Sequence, residues 1–453
     1  MIVRNRDLLA EGMPPPEMIR AVLQEFTGQR ERLRNLREAY ENKCAIEGRA
    51  RVKDLPNNKL AHGYPRYIVT MAAGYLLGKP VSYTAPEGQE DALSLVIDAY
   101  QVSNADSLDA ELAKDCGVYG KGVEICYADK NAQPKAANLN PECAFVVYDD
   151  TVECEPIFGV YFRQLYDLQG NPKEWAVDIY TDTMVVEYIL PSLTTLPGAP
   201  VSILPHYFGR VPMIEYWNAE DEHGDFEQVQ SLIDAYNLLQ SDRVNDKEQF
   251  VDSLLVIWGA RMEKDENGRT PGQQLRQDKI LQLPDRDCGA EYLGHTMTEA
   301  DVEVLKNALN ADIHKFSMVP DLTDEHFAGN ASGVAMRYKL LGLEQLIRVK
   351  ERWFKEGLRE RMRCFAAFLA RKGAAALDPE MVSINMARGL PENLLEISQT
   401  VSNLHNLVPD DLLLSQVPFV ENVPEALEKL KTQQEEAARR QMDAFRVPEP
   451  LEE

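Results

Sequence analysis

HFAGNASGVAMRYKLLGLE, His326 to Glu344, runs from small residues straight into a helical pattern. Gly329, Asn330, Ala331 and Gly333 carry almost no side-chain bulk, and glycine reaches backbone angles that other residues avoid. Ser332 is the expected N-cap of the helix that follows. The next proline is Pro379, so the helix is expected to persist to about Arg371. Roughly forty residues at about 1.5 Å each give a rod of about 60 Å, far longer than the usual three or four turns. A pliable stretch on a stiff rod points to a mechanical part rather than a catalytic pocket. The competing reading is a plain glycine-rich linker ahead of a buried helix.

The rod is also basic. From Ser332 to Lys372 there are eleven lysines and arginines against four glutamates, in a chain of 453 residues with a net formal charge of −25. Such a basic face pairs either with solvent or with acidic surface on neighbouring elements or a neighbouring subunit, and the second is the expectation here. The overall acidity argues against a conventional nucleic-acid binder, which neutralises phosphates with Lys and Arg. The length allows two or three domains, and a hydrophobic content of 44% is that of an ordinary globular chain. No apolar run approaches the roughly 18 residues of a membrane span. MIVRNRDLLAEGMPPPE at the N-terminus lacks the apolar core of a secretory signal. Seven scattered cysteines without a CxxC pair fit reduced thiols rather than disulfides or zinc.

Working towards the N-terminus from the small-residue loop, Pro320 ends a helix capped by Thr298 with Asp301, whose stripe is Val302, Leu305, Leu309, Ile313 and Phe316. Before it lies an insert with β character at Ile280–Leu283 and Glu291–Leu293. That insert follows another long helix, expected from Phe226 to Trp258 with Asp225 and Gln228 as a capping box. Its middle, Gln240 to Gln249, is polar nearly all round, so no single core is expected to bury it. Upstream of the acidic linker Glu220–Asp225, strands are expected at Val123–Tyr127, Ala144–Tyr148, Phe158–Leu165, Trp175–Thr181 and Met184–Leu190. Helices precede them, at about Glu17–Asn42, over the stripe Ile68, Met71, Ala72, Tyr75 and Leu76, and near Glu90–Tyr100 and Leu108–Cys116. Helices followed by antiparallel strands make an α+β chain. The order of long helix, β insert, returning helix, loop and very long helix describes a stalk.

Three segments within that order resemble the portal proteins of tailed bacteriophages of the siphovirus type. They are NNKL…YLLGKPVSY (Asn57 to Tyr83), VPMIEYWNAEDEHGDFEQVQSLIDAYNLLQSDRVND (Val211 to Asp246) and FAGNASGVAMRYKLLGLE (Phe327 to Glu344). The resemblance implies a homo-oligomeric ring, usually of twelve copies, at one capsid vertex, through which double-stranded DNA is packaged, held and ejected. It implies a wing (1–225), a first stem helix (226–258), a clip (259–297), a second stem helix (298–318), a tunnel loop (319–333), a long wing helix with a following strand (334–395) and a short helical crown (396–453, including Glu425–Ala444). The loop residues His326, Phe327, Ala328, Gly329, Asn330 and Ala331 would face DNA. Arg352, Arg359 and Arg363 are candidates for pairing between subunits. Partners implied are the terminase packaging motor, the head-completion and connector proteins, and the major capsid and scaffold proteins, with no membrane. Such a protein is made in the host cytoplasm and ends in the virion. A conduit that is negative overall lets DNA slide, where a phosphate-neutralising wall would grip it.

Catalytic motifs are missing. Gly74-Tyr75-Leu76-Leu77-Gly78-Lys79-Pro80 has three residues between its glycines and no Ser or Thr after the lysine, so it is not a phosphate loop. Gly120-Lys121-Gly122 is expected as a turn before a strand, and Asp149-Asp150 as a turn at a strand end. Asp324-Glu325-His326 and Asp221-Glu222-His223 lack the i, i+4 spacing of metal ligands on a helix. Cys116 and Cys126 have no paired histidine to activate them. No cofactor, metal or catalytic residue is therefore expected. The alternatives are another phage head or connector protein and, further off, a soluble α+β enzyme whose site is non-local.

Overall fold

The computed structural model describes residues 1–51, 55–251, 254–258, 288–293, 299–322 and 338–388, with parts of 394–433. Strand β1 (Ile2–Val3) precedes helix α1 (Pro16–Tyr40). Pro16 sits at the first helical position, where its missing N–H is no loss. Helix α1 buries Ile19, Val22, Leu23, Phe26, Leu33 and Leu36 on one stripe. Helix α2 (Tyr64–Leu76), strand β2 (Ser82–Thr84), α3 (Glu90–Ser103) and α4 (Ala105–Tyr119) follow. Gly120 ends α4 at φ +87°, and a Cβ there would fall 1.8 Å from the carbonyl oxygen of Glu222. Only glycine fits.

The strands are β3 (Lys121–Ala128), β4 (Pro134–Leu139), β5 (Ala144–Tyr148), β6 (Pro156–Tyr166), β7 (Pro172–Tyr180), β8 (Met184–Leu190), β9 (Ser202–Pro205) and β10 (Met213–Trp217). They form a six-stranded sheet, β1-β5-β6-β7-β8-β9, and a three-stranded sheet, β10-β3-β4. Pairing is antiparallel throughout except β1 with β5. The expected antiparallel α+β class is what the chain adopts. Lys121 and Gly122 belong to β3 rather than to a turn, because Gly120 alone makes the bend.

The three-stranded sheet is buried on both faces, so β3 shows no polar alternation. Val123, Ile125 and Met213 pack with Ala144, Val146 and Tyr148 of the larger sheet. The opposite side chains, Glu124 and Tyr216, face the long helix α7 (Leu341–Arg371). That helix buries Leu343, Ile347, Phe354, Leu358, Met362, Phe365 and Phe368 at spacings of three and four. Each such side chain stabilises by about 1.5–3 kcal/mol, so Phe354→Ala alone should remove about 3–5 kcal/mol. After α7, β13 (Ser383–Asn385) pairs antiparallel with β2.

Three expectations are corrected. The helix expected from Phe226 to Trp258 opens as a 3-10 turn, Glu227–Val229, becomes α5 (Gln230–Val251), and gives way to β11 (Leu254–Trp258). Leu254-Leu255-Val256-Ile257-Trp258 is bulky and β-branched, and its backbone pairs antiparallel with β12 (Gly289–Leu293). Asp225 caps nothing; its carboxylate binds Lys350 instead. The returning helix α6 (Glu299–Ser317) does not bury its expected stripe as one face. Val302 and Ile313 are buried, whereas Leu305 and Phe316 are half exposed.

The long helix has 31 α-helical residues from Leu341, with Tyr338 and Lys339 helical before it. Its expected start at Ser332, the cap Thr298, Ile280–Leu283 and most of 259–297 lie outside the described residues. The described residues after Arg388 belong to a second unit, in which α8 (Leu394–Leu404) and α9 (Asp410–Leu414) are described. Of the expected helix Glu425–Ala444, only Leu427 and residues 429–433 are described, as helical.

Candidate functional site

Helices α5 and α6 run antiparallel. Arg243 pairs with Glu299 and with Glu303 at 3.1 Å, while Tyr64 touches both Tyr236 on α5 and His314 on α6. At about 1.5 Å per residue the pair spans about 30 Å.

The polar stretch of α5 has a partner inside the chain. Asn237, Ser241 and Asn245 are fully buried and recur every four residues on one face. They accept the backbone N–H groups of His62, Leu60 and Asn58 at 2.9, 2.9 and 2.7 Å. Two residues of extended chain advance about 6.6 Å and four helical residues about 6.0 Å, so the two repeats keep step. Arg49 and Arg51 both reach Asp242, at 2.6 and 2.5 Å. Hydrophilicity along this helix thus answers an extended segment of the same protomer, and the polar middle expected to lie outside any core is buried on this face.

Outward-facing apolar residues remain on the pair: Leu238 on α5, and Val304, Leu305 and Phe316 on α6, are 44 to 69% exposed. The end of α6 leads into the segment Met318–Leu322, the described root of the loop. Met318 takes φ +58°. His314 Nδ1 meets the Val319 carbonyl at 2.8 Å, and Tyr67 Oη donates to the Pro320 carbonyl at 2.8 Å. Beside them is an open cavity of about 380 Å³ lined by His62, Tyr64, Tyr67, Asn310, His314 and Asp321. Residues 326–331, named as DNA-facing, lie outside the described residues.

The basic helix α7 pairs with acidic elements of its own chain. Lys350 Nζ lies 2.6 Å from Asp225 Oδ2, with side chains 2 and 0% exposed. Arg361 lies 2.7 Å from Asp109 and 2.8 Å from Glu124, with all three buried. Burial pushes the Asp109 carboxyl above its ordinary value, against the pull of Arg361. Arg359 donates to the carbonyls of Pro379, Glu380 and Val382, and Arg363 binds Glu360 and Glu380. Both therefore have partners within the protomer. Arg352 is exposed.

Asp225 and Lys350 were missed from sequence, yet a signal was there. Lys350 and Arg361 fall on the apolar stripe of α7, and a cation on a buried stripe demands a carboxylate opposite. The remaining sequence candidates are structural. Asp149 accepts from Thr151 and Glu155 in a strand-end turn. His223 and Asp221 meet at 3.2 Å on an exposed loop. Burial pushes the Cys116 thiol up to about 12; the Cys364 thiol and burial push Cys126 well above its ordinary value, so neither is poised as a thiolate. Among the described residues no helix is long and apolar enough to cross a membrane.

The family model described as phage portal protein, SPP1 Gp6-like, matches residues 19–440. The chain belongs to this family of phage portal proteins. The portal protein of Bacillus phage SPP1 is 22% identical over 403 residues, covering 85% of this chain and 78% of that protein. The portal protein of Clostridium phage phiCD119 is 22% identical over 441 residues, covering 91% and 95%. Among solved structures, one titled as the neck of an empty GTA particle computed with C6 symmetry aligns with 81% of this chain and 89% of that chain, at 12% identity and a TM-score of 0.40. As a portal-family member the chain is a structural protein of a bacteriophage.

Proposed function

We propose that the chain closes head-to-tail into a ring, of twelve copies in the virion, at one capsid vertex. Double-stranded DNA passes through its bore during packaging, retention and ejection. The assignment of parts follows: 1–225 with α7 as wing, α5 and α6 as stem, 259–297 with β11 and β12 as clip, 319–333 as tunnel loop and 396–453 as crown. The clip is the docking face for the terminase motor and later for connector proteins, and capsid and scaffold proteins are further partners. His326 to Ala331 face the DNA.

The observation that carries this reading is the helix pair. The oxygens of its polar stripe accept from backbone of the same protomer, but Leu238, Val304, Leu305 and Phe316 stay exposed along it. An apolar face repeated on every copy is covered when a heterologous contact closes into a ring. The net charge of −25 supports a conduit over a DNA-gripping protein.

Electron microscopy and native mass measurement of the purified protein test the ring; a compact monomer that never assembles with scaffold or capsid protein would refute it. Shortening Ala328–Ala331 tests the loop: rings should persist while packaging falls.

A further inference from the structure

The chain on either side of residues 323–337 is gathered against α2. On the entry side, Tyr67 Oη donates to the Pro320 carbonyl at 2.8 Å and accepts from the Leu322 N–H at 3.1 Å. On the return side, Tyr75 Oη donates to Glu344 Oε2 at 3.0 Å, and Glu344 is held in turn by Arg348 and Arg388. The two sides also meet directly, since a Cβ built on Gly342 lies 3.7 Å from the Met318 carbonyl oxygen. His314, edge-on to both Tyr64 and Tyr67, holds the Val319 carbonyl.

We infer that Tyr67 and Tyr75 form a clasp that closes the neck of the tunnel loop, with Tyr67 as the positioning residue that fixes its root. Residues 319–322 belong to neither a helix nor a strand, so their backbone groups need side-chain partners. Tyr67 supplies one oxygen that satisfies a carbonyl and the N–H two residues later, as a neighbouring strand would. Both sides are thereby held to one helix. The inference rests on reading 319–333 as the tunnel loop.

The test uses the full-length assembled protein with Tyr67→Phe, which keeps the ring and removes the hydroxyl. Hydrogen exchange at Leu322 should quicken about tenfold, the equivalent of about 1.4 kcal/mol, while amides of β3 and β10 keep their protection. Tyr75→Phe should loosen 341–346 and leave Leu322 as it was. Packaged DNA retained by Tyr67→Phe particles should fall at unchanged ring mass. If Tyr67→Phe does not yield folded protein, His314→Phe removes the bond to Val319 and keeps the aromatic contacts, with the same expectation at the root.

Unchanged exchange at Leu322, or equal loosening of the whole molecule, overturns the clasp. If shortening Ala328–Ala331 impairs packaging but Tyr67→Phe leaves retention intact, the clasp's role falls and the channel reading stands. If neither variant affects packaging, the channel reading itself falls.

Discussion

Arg361 on the long helix faces Glu124 on β3 with the Nε–Nη2 edge of its guanidinium. Nε lies 2.9 Å from Oε2 and Nη2 2.8 Å from Oε1, and neither side chain is exposed. Asp109 takes Nη1 at 2.7 Å and Tyr216 donates to Glu124 at 2.7 Å. Removing one partner of such a cluster strands the others. Arg361→Ala should therefore lower the unfolding free energy by about 3–5 kcal/mol. The triple change Arg361→Met, Glu124→Gln, Asp109→Asn should recover part of that loss, because the charges go while buried amides stay short of partners. Denaturant titration of all variants decides it; a triple variant no better than Arg361→Ala would mean that shape, not charge, sets the cost.

Glu215 gives the chain an acid-dependent term. Burial alone would raise its carboxyl, but Lys121 at 2.8 Å, with the Val146 N–H and the Trp217 indole, holds it below its ordinary value near 4.5. A carboxyl lowered in the folded state contributes stability above its unfolded value, and that contribution is lost as pH falls through the folded value. Stability of the wild type should thus decline below about pH 4.5. Glu215→Gln should be less stable at neutral pH, because Lys121 loses its partner, and should show a shallower decline in acid. Parallel slopes below pH 4.5 would remove Glu215 from the acid response.

Two glycines of α7 should respond oppositely to alanine. A Cβ on Gly357 would sit 2.4 Å from Tyr216 Cδ1, whereas one on Gly342 meets nothing nearer than 3.7 Å. Alanine gains about 1 kcal/mol over glycine in a helix interior, so Gly342→Ala should be neutral or stabilising by up to that amount. At Gly357 the overlap outweighs it, and overpacking of this kind costs about 1–3 kcal/mol. Thermal midpoints of the two variants should move in opposite directions, or only Gly357→Ala should fall.

The five strands expected from sequence all form, because each is a run of branched and aromatic residues bounded by turns. The short strands β1 and β9 were not legible, since two to four residues carry no period. What stands opposite each polar group was also hidden. Asn237, Ser241 and Asn245 spell a four-residue repeat that is visible in sequence, but only the fold places Asn58, Leu60 and His62 against it. The same holds for Asp225, which looked like a helix cap by spacing and is the buried anion for a lysine 125 residues away. Local chemistry predicts local partners, and long-range pairs escape it.

That ladder gives a prediction of its own. Asn245→Ala removes the acceptor of the Asn58 N–H at 2.7 Å in a partly buried setting, which should cost about 1–3 kcal/mol. The loss should be local first: exchange at Asn58 and Leu60 should quicken before that of β3. If all amides quicken together, the segment is no separate unit and the ladder belongs to the global core.

Arg352 separates contacts within a protomer from contacts between protomers. Of the three arginines considered for ring assembly, Arg359 is held by the Pro379, Glu380 and Val382 carbonyls and Arg363 by Glu360 and Glu380. Reversing either charge should first destabilise the fold, by about 1–3 kcal/mol, so any change in ring mass would be secondary. Arg352 is exposed on the same helix, and Arg352→Glu should leave stability within about 0.5 kcal/mol. If the basic helix also meets acidic surface on the next copy, the fraction of protein in rings should drop for Arg352→Glu at low salt. The drop should vanish near 1 M salt, where the screening length is about 3 Å. Native mass measurement across a salt series, paired with thermal scans, distinguishes the two outcomes; an unaltered ring fraction at low salt would place Arg352 outside the subunit interface.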